Sequence, residues 1–255
     1  MSARTGGRWL YVSLLALSIA TLAYAATPAA RADPPWPGGA GWNGVWIERN
    51  SILYKYGAEL TPGGPVPPLP DWPLRGVYAA RLAALQKKQA AGIPQGVPTA
   101  TCLPSGMPYT MRMPYVMEVL ATPGQLTLIN EFQSEIRRIY TDGRPHPRDL
   151  EPSYEGHSIG RWEGDVLVVD TTGVRDDTAL DVVGAPHSDV LTITERWRLI
   201  DGKVLEDVIT LADSKAFTRP VVFHKVFDRA PPRMELQEFV CDNNRDTSQG
   251  ASPGH

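Results

Sequence analysis

Nine strand-length segments follow one another between residues 115 and 240, and no other feature limits the fold so strongly. They are "YVMEVLA", "QLTLINEF", "EIRRIYT", "YEGHSIGRW", "DVLVVDTT", "VLTITERWRLI", "KVLEDVITLA", "VVFHKVF" and "RMELQEFV". Turn signals such as "TPG", "EG", "DG" and "PP" separate most of them. A sheet this large usually curls and closes, because closure removes its exposed edges. The expected fold class is all-β: an up-and-down antiparallel β-barrel with an internal cavity, with an open sandwich as the alternative. Composition agrees, since 24 Pro and 23 Gly in 255 residues are more than a helical bundle tolerates, while 42% apolar residues suffice for a core.

The segment ahead of the strands reads differently. Residues 33–70 carry "PPWPGG" and "TPGGPVPPLP", which cannot sustain a helix and suggest an extended arm with one short strand, "GVWIER". A surface helix is expected over 71–91, with Asp71 as its cap and Pro73 in its first turn. Leu74, Tyr78, Leu82 and Leu85 give it one apolar stripe, and Gly92 ends it. The expected organisation is a signal peptide at 1–32, this arm and helix at 33–100, the barrel at 101–246 and a disordered tail at 247–255.

The first residues set the expected compartment. Arg4 and Arg8 precede the apolar run "WLYVSLLALSIA", followed by small-residue cleavage sites ending at Ala25 and at Ala32. Serine and threonine dilute a short apolar core, which favours cleavage over a retained anchor, so the membrane is met only in transit. Cleavage after Ala32 removes three of 25 basic residues and no acid, leaving 22 against 28 acidic, a net charge of −6. Basic residues are scattered, so the chain lacks the electrostatic footprint of a nucleic-acid binder. In an oxidising compartment the two cysteines, Cys102 and Cys241, are expected to pair, with two buried thiols as the alternative.

The stretch "GHSIGRWEGDVLVVD" is the most informative hairpin. With Glu163-Gly164 as a two-residue turn, Arg161 faces Val166, Ile159 faces Val168 and His157 faces Asp170. Directly opposed side chains meet, and a carboxylate beside a histidine fixes its tautomer and suits it to act as a base. His157 and Asp170 are therefore a candidate catalytic dyad, with Arg161, Trp162 and Tyr140 as candidate ligand contacts. The opposite face (Ser158, Gly160, Trp162, Leu167, Val169, Thr171) could equally be the core face, and Gly160 can mark a bulge.

Similar counting on "TERWRLIDGKVLEDV", with Asp201-Gly202 as the turn, sets Arg196 against Asp207 as an exposed ion pair. Glu195, between Ile193 and Trp197 on its own face, is a candidate acid, with a glutamate at the barrel rim as the alternative. The loops "YTDGRPHPRD" and "GAPHSDV" add His146 and His187 as candidate binding residues at a barrel mouth. These histidines have no metal-ligand spacing, so neither a metal nor a cofactor is expected.

The motifs "CLPSGMP", "YTDGRPHP" and "GHSIGRWEGDVLVVDT", in that order, resemble a group of functionally uncharacterised exported bacterial proteins over residues 102–246. "GVW" ahead of a strand meander is similar to the opening signature of lipocalin-like barrels of the calycin type. That resemblance implies a barrel holding a ligand. Two functions follow as expectations: a carrier of a small, largely apolar molecule, or an enzyme using the dyad for isomerisation, dehydration or hydrolysis. A structural envelope partner is the third. Oligomeric state is left open.

Overall fold

The computed structural model describes residues 41–49, 71–93, 102–239 and 241. The expected signal peptide, most of the Pro-rich arm and the expected tail lie outside the described residues. Among the described residues nine strands form the sheet: β1 (Gly44–Glu48), β2 (Met117–Thr122), β3 (Gln125–Asn130), β4 (Ile136–Tyr140), β5 (His157–Glu163), β6 (Val166–Thr172), β7 (Thr192–Ile200), β8 (Val204–Ala212) and β9 (Val221–Arg229). Each is hydrogen-bonded to the next and β9 returns to β1, so the barrel is closed.

Two features depart from a simple meander. The expected last strand, "RMELQEFV", does not enter the sheet: Pro231 and Pro232 precede it and supply no amide donors for a ladder. Residues 233–239 instead pack against the connection between β3 and β4. The Gln237 amide donates to Glu131 at 2.9 Å, and Phe239 packs on Phe132 with ring centroids 4.8 Å apart. The free edge of β9 is taken by β1, from the arm, with Trp46 opposite Arg229 and Glu48 opposite Phe227.

The second departure is that β4 and β5 run parallel, joined by the crossover 141–156, while every other neighbour pair is antiparallel. Strand direction must return to itself around a closed ring, so the number of antiparallel pairs has to be even. Nine strands therefore cannot close as a pure up-and-down barrel, and one parallel pair resolves the parity.

Alternation along the strands defines the inside. Leu126 and Leu128 of β3, Leu167 and Val169 of β6, Ile193 and Trp197 of β7, and Leu205, Ile209 and Leu211 of β8 are all buried in one core. Trp42 closes one end, meeting Trp162 edge-on at 5.4 Å and accepting a hydrogen bond from Trp46 Nε1 at 3.1 Å. The long connections 102–116, 173–191 and 213–220 lie at the other end and contribute Met107, Met111, Leu180, Ala185 and Phe217 to the core. The disulfide Cys102–Cys241 ties the first of them to the segment that follows β9.

The helix α1 spans Gly76–Ala90, starting later than expected. Asp71 does not cap it, and Pro73 lies outside. Residues 73–75 are held extended by tertiary hydrogen bonds: Leu74 bridges Phe217, Arg75 N donates to Ala216 O at 2.9 Å, and Thr218 N donates to Pro73 O at 2.8 Å. The helix ends as expected at Gly92 (φ +70°), where Gly92 N donates to Gln89 O and Ile93 N to Lys88 O, a Schellman closure. Tyr78 and Leu82 pack against the barrel core.

Candidate functional site

The β5–β6 hairpin turns at Gly164-Asp165, one residue later than expected, with Glu163 paired to Val166. Gly164 has φ +66°, and a glycine at the first of two turn positions is what a type II′ hairpin favours. The pairing moves by two residues in consequence. His157 faces Thr172 and Asp170 faces Ile159, so the expected His157–Asp170 dyad is not formed. A two-residue shift preserves faces, and the core face is the one with Ser158, Gly160, Trp162, Leu167, Val169 and Thr171. Gly160 is no bulge; a Cβ there would stand 3.0–3.1 Å from Leu167, Ile139 and Thr141.

His157, Asp170 and Arg161 consequently lie on the outer surface. Asp170 accepts from Arg161 Nη1 at 2.9 Å and from Thr194 Oγ1 at 3.2 Å. His157 meets His146, Nδ1 to Nδ1 at 2.8 Å, and stacks near Tyr140 at 5.4 Å, while Arg144 covers the Tyr140 ring at 4.0 Å. The crossover thus gathers three sequence candidates, Tyr140, His146 and His157, outside the barrel. Burial, then the neighbouring His146 and Arg144, lowers the His157 pKa. Its ring nitrogen meets another imidazole and not an acid. His187 is buried in the 173–191 connection, bonded to Thr178 Oγ1 at 2.8 Å and to its neighbour Ser188 O at 2.9 Å, where it secures the loop. Trp162 faces inward and packs on Trp42.

Glu195 is the sequence candidate that reaches the interior, at 0% exposure. It forms a bidentate ion pair with Arg137, whose Nη1 donates at 2.8 Å and whose Nη2 donates to the second carboxylate oxygen. Arg137 also donates to Ser158 Oγ (3.2 and 3.1 Å) and to Thr171 Oγ1 (2.9 Å), and those two hydroxyls are 2.7 Å apart. Burial works against the guanidinium charge, but the Glu195 carboxylate outweighs it and holds the Arg137 pKa above its ordinary value.

Beside this pair lies Asp207, which sequence reasoning assigned to the surface. The β7–β8 loop has three residues, 201–203, with Ile200 paired to Val204, so the register slips by one against the expected two-residue turn. A one-residue slip exchanges faces. Arg196 stays outside and pairs with Glu163 at 3.1 Å, whereas Asp207 turns inward opposite Trp197 and Lys225. Asp207 is 0% exposed; its carboxyl is hydrogen-bonded to that of Glu195 and to no other side chain, and Trp197 Nε1 has no hydrogen-bond partner. Burial, and then the charge of Glu195, push the Asp207 pKa well above the carboxylate range. Lys225, directly across, is engaged by Glu48. A signal for this was present in "VLEDVITLA": Leu205, Asp207, Ile209 and Leu211 share one phase of the alternation.

A second acidic pair lies where the 102–116 connection meets the barrel. Glu135 accepts from the Ser105 amide, from Ser105 Oγ at 2.7 Å and from Thr110 Oγ1 at 2.5 Å. Glu155 Oε1 lies 3.1 Å from the same Thr110 hydroxyl. One hydroxyl proton cannot serve both carboxylates. Burial, then the charge of Glu135, raises the Glu155 pKa to about 8, and a hydrogen bond between the two carboxyl groups favours the protonated form of Glu155. Sequence reasoning missed this group because its members come from three separate segments.

Comparison of the chain with models of known protein families and with curated proteins finds no match. Among the described residues, no group of three or more His, Cys, Asp or Glu is placed to hold a metal ion.

Proposed function

We propose that this is an exported β-barrel protein that holds a small, largely apolar molecule inside the barrel, with one polar end set against β7 and β8. The observation that carries the reading is the pair Trp197 and Asp207. Both are buried, both point inward, and each keeps a polar atom without a protein partner: Trp197 Nε1, and the Asp207 oxygen not engaged with Glu195. Leaving a buried donor or acceptor unpaired costs about 1–3 kcal/mol, a penalty that a ligand group can remove. Export is supported by the leader-like first residues and by a disulfide of the kind stable in oxidising compartments. The test uses N-phenyl-1-naphthylamine, whose emission rises in apolar surroundings. Saturable binding at about one probe per chain, reversed by competing alkyl compounds, is expected. A probe that never saturates would return the structural-partner reading to the front.

One observation favours acid–base catalysis as a second reading: Glu155, protonated near neutral pH, sits beside the carboxylate of Glu135. Environments that push two carboxyl groups apart divide them into acid and base. On this reading Glu155 and Glu135, not His157 and Asp170, carry the chemistry, and E155Q abolishes turnover while probe binding persists.

A further inference from the structure

We infer that the polar end of the ligand is uncharged and carries both a donor and an acceptor, as a hydroxyl or a carboxamide does, and is not a carboxylate or an ammonium. The inference rests on the carrier reading and adds the chemistry of the head group.

The first support is a charge count on the inward faces around Asp207. Arg137 is matched by Glu195 and Lys225 by Glu48, each through a direct ion pair. The side chains opposite Asp207 are Trp197 on one strand and Lys225 on the other, and the lysine is already committed. An ionised Asp207 would have no cation of its own in a fully buried position, which is among the most costly arrangements a core can contain. The neutral acid is the form that burial and Glu195 favour. With Asp207 neutral, these two ion pairs carry no net charge; a further partly buried cation, Arg112, donates to Leu180 O and lies over the rings of Trp72 and Phe223. A carboxylate arriving between Trp197 and Asp207 would face Glu195 with Arg137 and Lys225 already paired, and an ammonium would face Arg137 and Lys225 with Glu195 and Glu48 already paired.

The second support is the set of polar atoms on offer. Trp197 Nε1 can only donate. A neutral Asp207 presents one hydroxyl and one carbonyl oxygen; with the hydroxyl turned to Glu195, the carbonyl is left as an acceptor. A donor on β7 and an acceptor at the opposed position on β8 match a group that is at once acceptor and donor. Alcohols and primary amides satisfy both, and a hydrocarbon satisfies neither.

The experiment displaces N-phenyl-1-naphthylamine from the mature, disulfide-intact protein at pH 7. The competitors share one chain length: octanol, octanamide, octanoate, octylamine and octane. Octanol and octanamide are expected to compete about tenfold better than the other three, as two satisfied neutral hydrogen bonds would give. In D207L that advantage over octane is lost, whereas D207N, which keeps a carbonyl and a neutral donor, retains it. If D207L does not fold, the ranking in the unaltered protein decides by itself. Octanoate or octylamine competing best overturns the inference and leaves the carrier reading standing, as does equal competition by all five. Failure of the probe to bind overturns both.

Discussion

At the residue scale, the barrel is set apart by carboxyl groups that resist ionisation. Glu155 binds its proton more tightly folded than unfolded, since its pKa of about 8 lies above the ordinary 4.5. The sign follows from linkage: its contribution to stability is complete below about 4.5 and is lost as pH rises through about 8. Glutamine keeps the shape and stays neutral throughout. Urea unfolding of the wild type and E155Q at pH 5, 7 and 9 should therefore show the wild type losing ground to the variant as pH rises. A stability difference that does not change with pH would mean that Glu155 is not held protonated by the fold. The exposed acids behave in the opposite way. Glu163, for example, has its pKa lowered by its hydrogen bonds with Arg196 and Arg161.

At the scale of the element, the β5–β6 hairpin has a wet face and a dry face, and substitutions should report which is which. Asp170 and Arg161 form a surface ion pair, their side chains 42% and 59% exposed. Such pairs are worth about 0–1 kcal/mol, so D170N should cost no more than that in a urea titration. Gly160 has the dry position, where a side chain meets Leu167, Ile139 and Thr141 within 3.1 Å. G160V should cost about 1–3 kcal/mol or prevent folding, because overpacking displaces neighbours from both adjacent strands. Equal costs for the two variants would contradict the assignment of faces.

For the whole molecule, closure depends on pieces distant in sequence. The arm supplies β1, which completes the ring between β2 and β9. The disulfide joins residues 139 apart and encloses β2 to β9. On the chain-entropy account a loop of that length contributes up to about 5 kcal/mol, less where the unfolded chain stays compact. Thiol labelling of the denatured, unreduced protein should find no free cysteine. C102S/C241S should unfold at clearly lower urea with an unchanged native spectrum, and an unchanged midpoint would show that the connection is held by packing alone.

What the sequence determined by itself was local. Alternation and turn residues marked eight of the nine expected strands, β1 in the arm and the Gly92 helix stop, and they put Glu195 on one face with Ile193 and Trp197 without deciding between interior and rim. Cysteine count and the leader-like start pointed to the pair Cys102 and Cys241. What only the tertiary structure decided was register and convergence. Turn length is settled by whole-sheet pairing, and a single residue in the β7–β8 loop moved Asp207 from the surface to the centre of the barrel. Two residues in the β5–β6 pairing separated His157 from Asp170. The parallel β4–β5 step follows from closing nine strands, a constraint no single segment contains. Arg137 and Glu195 are 58 residues apart, and Ser105, Glu135 and Glu155 come from separate segments. Short-range patterns record which face of a strand is apolar; which polar groups meet across a closed barrel is set by the path of the whole chain.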